Sequence, residues 1–154
     1  MRVGTRAAAY SLVTITSAAS ISPILAATAD DVKAFVSKAM THIKDVGRAQ
    51  AFADFSQPNG NWVAGELYIF CQAPDGVILA HGANPALIGR NFSNVIDPDG
   101  KPANKEINRV GFTYGEGWVH FKWPNPVTNK VQPKSAWVVK VDDEAVCGSG
   151  YYHD

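Results

Sequence analysis

From Asp30 onward the apolar residues recur first at three- and four-residue steps and later at two-residue steps, so helices should precede strands. Val32, Phe35, Val36, Ala39, Met40 and Ile43 form one apolar face, with Asp30 or Asp31 placed to cap the helix and Gly47 to stop it after Val46. His42 falls on the solvated side of that helix. A shorter helical pattern over residues 48–55 turns Ala49, Phe52 and Phe55 inward before Pro58-Asn59-Gly60 ends it. Leu67 to Gln72 is aromatic and β-branched and reads as a strand. Pro74-Asp75-Gly76 then sets a tight turn, and Val77 to Ala80 returns as the second strand of a hairpin. The hairpin delivers His81 into a segment rich in Gly, Asn and Pro, where a side chain at the rim of a sheet can face a cavity.

About thirty residues of turn chemistry follow, long enough to be functional or to carry short helices. Ala86-Leu87-Ile88-Gly89, behind Asn84 and Pro85, reads as one helical turn, and Ala103 to Phe112 as a longer helix opened by Pro102 and closed by Gly111 or Gly115. Three more strands follow. They are Gly117 to Trp123, Ser135 to Val141 and Ala145 to Tyr152; Pro133 belongs at an edge or before a strand, and Gly148 and Gly150 allow another backbone close. A helix followed by five strands, with helical turns inserted after the second, is an α+β pattern of mainly antiparallel pairing.

Composition narrows the class. The 154 residues are 46% apolar and 18% charged, enough for one domain with a real core. Arg2 and Arg6, a small-residue run from Ala7 to Ile24 and the A-x-A sequence Ala27-Thr28-Ala29 read as a signal peptide over residues 1–29, cleaved near Ala29. The domain is then residues 30–154, periplasmic or secreted. Beyond residue 29 there are 12 basic against 14 acidic residues, which argues against a nucleic-acid partner. An oxidising compartment favours pairing Cys71 with Cys147 if their strands are neighbours. No local motif supports either as a nucleophile.

Asp75-Gly76-Val77-Ile78-Leu79-Ala80-His81-Gly82-x-Asn84-Pro85-x-Leu87-Ile88-Gly89-x-Asn91, with Lys122-Trp123-Pro124-x-Pro126-x-Thr128 and Lys134, resembles the single Cache domain family (type 2) over about Asp30 to Tyr152. The resemblance implies a PAS-like five-stranded sheet with the long N-terminal helix on one face and short helices inserted between strands 2 and 3. It also implies the sheet order 2-1-5-4-3, which makes the Cys71 and Cys147 strands neighbours. Further, it implies an extracytoplasmic sensor with a small-molecule pocket between the sheet and the inserted segment. Such receptors normally continue into a transmembrane helix and a signalling module. Here the sequence stops at Asp154, so a stand-alone module signalling through a membrane-bound partner is expected, and a homodimer remains compatible.

Such a pocket needs a few convergent polar groups in an aromatic wall. Lys134, entering a strand beside Trp137, can hold a carboxylate, and Tyr68 and His81 can donate to its oxygens. Phe70, Trp118, Phe121 and Trp123 can supply walls. Strand parity puts Tyr68 and Phe70 on one face and Leu67, Ile69 and Cys71 on the other; the second, more apolar face is assigned to helix packing. Plainer readings remain beside these. The aromatic residues can be ordinary core, and Trp118 and Trp123 have opposite parity. His81 can serve only a loop backbone, Lys134 can be a solvated cation, and Asn84 and Asn91 suit turns. Asp97, Asp99, Gly100 and Glu106 match part of a calcium loop whose first position is Val95, where a carboxylate is required. His81, His120 and His153 lack short zinc-site spacing. The expectation is a non-enzymatic small-carboxylate binder with no metal or cofactor; a hydrolase or lyase using His81 with Glu66, and a ligand-free assembly protein, are the alternatives.

Overall fold

A computed structural model describes residues 26–153 of the chain; the part of the expected signal peptide up to residue 25 lies outside the described residues. Helix α1 spans Ala29–Val46. Its N-cap is Thr28 rather than Asp30 or Asp31. The Thr28 hydroxyl accepts from the Asp31 amide while the Asp31 carboxylate accepts from the Thr28 amide, a capping box that satisfies two otherwise orphan N–H groups. Val32, Val36 and Ala39 are its buried residues, and Gly47 stops it with a positive φ of 83°. Helix α2 follows at Arg48–Phe55, burying Ala51 and Phe55, whereas Ala49 is exposed. His42 is half-buried rather than fully solvated. Its ring lies 4.9 Å from that of Trp62 and its Nε2 is 2.7 Å from Asp54 Oδ2, which ties α1 to α2.

The run from Leu67 to Gln72 is two short strands instead of one. A two-residue strand β1 (Val63–Ala64) pairs with β2 (Leu67–Tyr68), and the chain then changes partners at Ile69 and continues as β3 (Phe70–Gln72). The turn forms as expected, with the Gly76 amide donating to Ala73 O and the Asp75 carboxylate accepting from the Val77 amide. The return strand β4 is Ile78–His81. In the inserted segment, Asn84 caps a 3-10 turn at Pro85–Leu87, and α3 runs over Ala103–Tyr114 to a Gly115 of positive φ. Strand β5 covers Glu116–Pro124, β6 covers Val131–Asp142 and β7 covers Ala145–Tyr152. Pro133 sits inside β6 but beyond the last residue paired with β7, so its missing N–H interrupts no ladder bond on that side.

The five-stranded sheet is antiparallel with order β4-β3-β7-β6-β5, the order the family resemblance implies. β3 and β7 are adjacent, Cys71 lies opposite Cys147, and the two are joined by a disulfide. One face of the sheet carries α1 and α2, packed on Leu67, Ile69, Cys71 and Cys147. The other carries α3, whose Ile107 and Val110 pack with Tyr68, Phe70, Phe121 and Val138. Gly111 allows α3 to sit this close: a Cβ there would clash with Val146 Cγ1. Among the described residues no helix is long and apolar enough to cross a membrane.

Candidate functional site

The α3 face of the sheet is not filled completely. Between it and the inserted segment lies a cavity lined by Tyr68, Phe70, His81, Phe121, Trp123 and Lys134, closed by Ile78 of β4, Gln72 of β3 and Asn104 and Ile107 of α3. Strand alternation explains the set. Phe121 lies opposite Lys134 in the β5–β6 register, Phe70 lies opposite His81 in β3–β4, and all four point to the same side. Six of the seven residues expected to contact ligand are therefore brought together.

Trp118 is the exception. It lies an odd number of residues from both Phe121 and Trp123, so the alternation turns it to the α1 face, where it packs against Trp137 and Tyr151 at ring distances of 5.3 and 6.0 Å. Trp137 itself shares that face, with Lys33 Nζ 4.2 Å from its ring, and so does not flank Lys134 in the cavity.

Lys134 is 2% exposed and, among the described residues, has no carboxylate oxygen within 4 Å. Its Nζ lies 3.9 Å from the centre of the Tyr68 ring and 4.8 Å from that of Tyr152, and donates to Tyr152 Oη at 3.3 Å. Burial pushes the ammonium well below the ordinary lysine range, opposed only by the negative charge of Glu66. Room for the side chain comes from β7. A Cβ on Gly150 would meet Lys134 Cε at 2.8 Å, and one on Gly148 would meet Phe70 Cζ at 2.9 Å.

The hydroxyls around it form a directed chain. Tyr152 Oη donates to Pro124 O at 2.8 Å, so its contact of 3.2 Å with Tyr68 Oη has Tyr68 as the donor. Burial raises both phenols above the ordinary tyrosine value. Tyr152, absent from the sequence-derived set, is thus the group that orients Lys134 and Tyr68 together. His81 Nδ1 accepts from the Asn84 amide at 3.0 Å, which leaves the proton on Nε2. Burial, then the charge of Lys134, lowers the imidazole to about 3, so the ring is neutral at physiological pH. The donors that face the cavity therefore include the His81 Nε2–H and the remaining N–H bonds of Lys134. Tyr68 has committed its proton and can only accept.

Gln72 and Asn104, also absent from the sequence-derived set, have a different task. The Gln72 amide donates to Asn104 O and Asn108 Oδ1 and accepts from Asn104 Nδ2, strapping α3 to β3 at the end of the cavity. Glu66 reaches the Tyr152 amide at 3.4 Å and Asn125 Nδ2 at 3.5 Å, and no hydrogen bond joins it to His81. The inner space is small: the centre of a water-sized sphere can occupy about 20 Å³, enough for a water or two. On the same measure an adjoining outer cleft of about 440 Å³ is bounded by Ala83, Asn84, Leu87, Phe92, Asn125 and Asn129. Tyr68, His81 and Trp123 belong to both chambers and form the wall between them.

The remaining candidates lie elsewhere. Asp97 does not serve a cation: its carboxylate accepts from the amides of Asp99, Lys101 and Lys122, which pins the inserted segment to β5, and Glu106 pairs with Arg109. Although burial pushes the Asp97 carboxyl up, those amides hold it below the usual range. His120 and His153 meet on either side of Ser135 Oγ at 2.8 and 2.7 Å, but Ser135 follows Lys134 in β6 and so belongs to the opposite face from the His81 cavity. Among the described residues no group of three or more His, Cys, Asp or Glu could hold a metal ion.

Three solved structures share this architecture. A methyl-accepting chemotaxis protein from Vibrio parahaemolyticus superposes with a TM-score of 0.71 at 20% identity, over 81% of this chain and 88% of that one. The periplasmic sensor domain of a chemotaxis protein gives 0.63 at 26% identity, over 79% and 88%. A Cache chemosensory domain whose structure addresses carboxylic acid recognition gives 0.63 at 22% identity, over 79% and 86%. Residues 26–154 match the model of the family described as single Cache domain 2, and the chain belongs to that family of sensor domains.

Proposed function

We propose that the protein is an extracytoplasmic sensor module that binds a small carboxylate in the Lys134 cavity, performs no chemistry on it, and passes the signal to a partner. The observation that carries this reading is Lys134 itself, a buried amine without an acidic partner among the described residues, facing a cavity that also presents the His81 Nε2–H donor. A lone ammonium in that position would be costly, and an anion supplied from outside removes that cost by pairing with it. Phe70, Ile78, Ile107, Phe121 and Trp123 suit a short apolar tail. Among the described residues no carboxylate lines the cavity to pair an ammonium, so a simple acid should bind in preference to the amino acid of the same skeleton. The carboxylic acid recognition studied in one structural neighbour supports the ligand class, and the periplasmic origin of another, with the Cys71–Cys147 disulfide, supports the compartment.

The limited inner volume implies that a ligand arrives through the outer cleft and displaces Trp123 or His81 as it seats. A thermal-shift screen of acetate, propionate, pyruvate, alanine and short amines, run on the wild type and on Lys134→Met, tests the reading. Ligand at a hundred times its dissociation constant adds about 2.7 kcal/mol of stability. The expected result is a rise in melting temperature with acids alone, lost in the variant. A response to amines, or an acid response that survives in Lys134→Met, would overturn it.

A further inference from the structure

We propose that the cavity takes up one proton with each carboxylate it binds and that the proton resides on Lys134, so that occupancy reports ligand and acidity together. This rests on the carboxylate reading above. Among the described residues, every element around Lys134 leaves its nitrogen without a counter-charge in contact. β2 presents the Tyr68 ring, β3 the Phe70 ring at 5.6 Å, β7 the Tyr152 ring and hydroxyl, and β5 the side chain of Phe121. α3 contributes the uncharged Asn104 and Ile107, and β4 the neutral His81. Glu66 is turned to the Tyr152 amide and Asn125. On the outer side, the lysine borders a cleft shared with Asp99, Lys101, Lys122, His120 and His153; there Asp99 is already paired with Lys122 at 2.8 Å, and the two imidazoles hydrogen-bond Ser135.

A solitary amine in such a setting is held as the neutral base, because burial penalises the charged form. An arriving carboxylate reverses the preference, since an opposite charge at hydrogen-bond distance favours the ammonium. The balance is a carboxylate, a neutral lysine amine and one proton from solvent giving a carboxylate–ammonium pair, with no covalent bond made or broken. Neither neighbour takes the proton instead. A second proton on His81 would fall on Nδ1 and break its bond to the Asn84 amide, and Tyr68 and Tyr152 hold theirs already.

Titration calorimetry with acetate, propionate and pyruvate at pH 8, repeated in phosphate and in Tris, counts the protons exchanged. The expected result is an uptake approaching one per ligand and a dissociation constant rising toward tenfold per pH unit between pH 8 and 9. Lysine labelled with 13C at Cε gives a readout without mutation: Lys134 should titrate well below the surface lysines in the free protein and move up on addition of the acid. Binding without proton exchange, or a Lys134 resonance that titrates with the surface lysines, would overturn the inference and leave the carboxylate reading standing. No binding of any of the three acids between pH 6 and 9 would overturn both.

Discussion

Replacing Lys134 with methionine should make the free domain more stable while abolishing ligand binding. Methionine follows the lysine side chain as far as Cε and so fills the channel over Gly150 with apolar atoms. The loss of the amine orphans nothing, because Tyr152 Oη still accepts from Tyr68 and donates to Pro124 O. Replacing a buried ion pair by apolar residues of similar volume is neutral or stabilising by about 1–4 kcal/mol, and removing a buried amine that has no partner should stabilise by an amount in that range, roughly 3–15 °C in melting temperature for a domain of this size. The pH dependence identifies the source. Between the depressed folded-state value of Lys134 and about 10.4, the unfolded chain holds more protons than the folded one, so stability from this residue rises with pH by up to about 1.4 kcal/mol per unit. The variant lacks that slope. Urea denaturation of both proteins at pH 7, 8 and 9 should show Lys134→Met ahead at pH 7 and the difference shrinking toward pH 9. A variant less stable than wild type at pH 7, or a difference independent of pH, would refute the argument that Lys134 is buried without a partner.

Other predictions concern the frame around the cavity. His81, neutral in the folded protein and lowered to about 3, should make stability fall as pH drops below about 6.5; His81→Asn, whose Oδ1 can replace Nδ1 as acceptor for the Asn84 amide, should flatten that fall in acid denaturation curves. Reducing Cys71–Cys147, which closes a separation of 76 residues, should cost about 4 kcal/mol, read as a lower urea midpoint with dithiothreitol. Thr28→Ala should cost about 1 kcal/mol by removing the α1 cap, and a domain begun at Asp30 should lose the same amount relative to one begun at residue 26. Equal stability of those two domains in urea would show that the capping box contributes nothing.

Much of this architecture is legible in the sequence because local chemistry and packing agree. Pro74-Asp75-Gly76 specifies its turn, Gly47 and Gly115 end their helices, and the alternation from Leu67 to Cys71 sorts helix-facing from cavity-facing side chains despite the change of partner at Ile69. That change was not legible, since a two-residue strand such as β1 has no period to detect; at the change of partner the Ile69 amide donates to Trp62 O. The placement of Trp118 follows from parity alone once Lys134 and Phe121 are known to face each other, so the aromatic content of β5 misleads where its alternation does not. Tyr152 and Gln72 escaped because neither carries a motif. A signal for Tyr152 did exist: Gly148, Gly150 and Tyr152 alternate on one face of β7, two vacant positions followed by a phenol, and that vacancy is what the Lys134 stem and the Phe70 ring fill. The Thr28 cap was missed because Asp30 and Asp31 also have capping chemistry, and only the geometry shows Asp31 acting as the reciprocal partner.

The most direct test is a crystal structure of the domain grown with the short acid that gives the largest thermal shift. The account predicts a carboxylate between the sheet and α3, one oxygen on Lys134 Nζ and the other on His81 Nε2, both at charge-assisted hydrogen-bond distances of about 2.7–2.9 Å, with Trp123 or His81 displaced relative to the arrangement described above. An acid bound in the outer cleft with Lys134 untouched, or seated on the opposite face of the sheet, would contradict it.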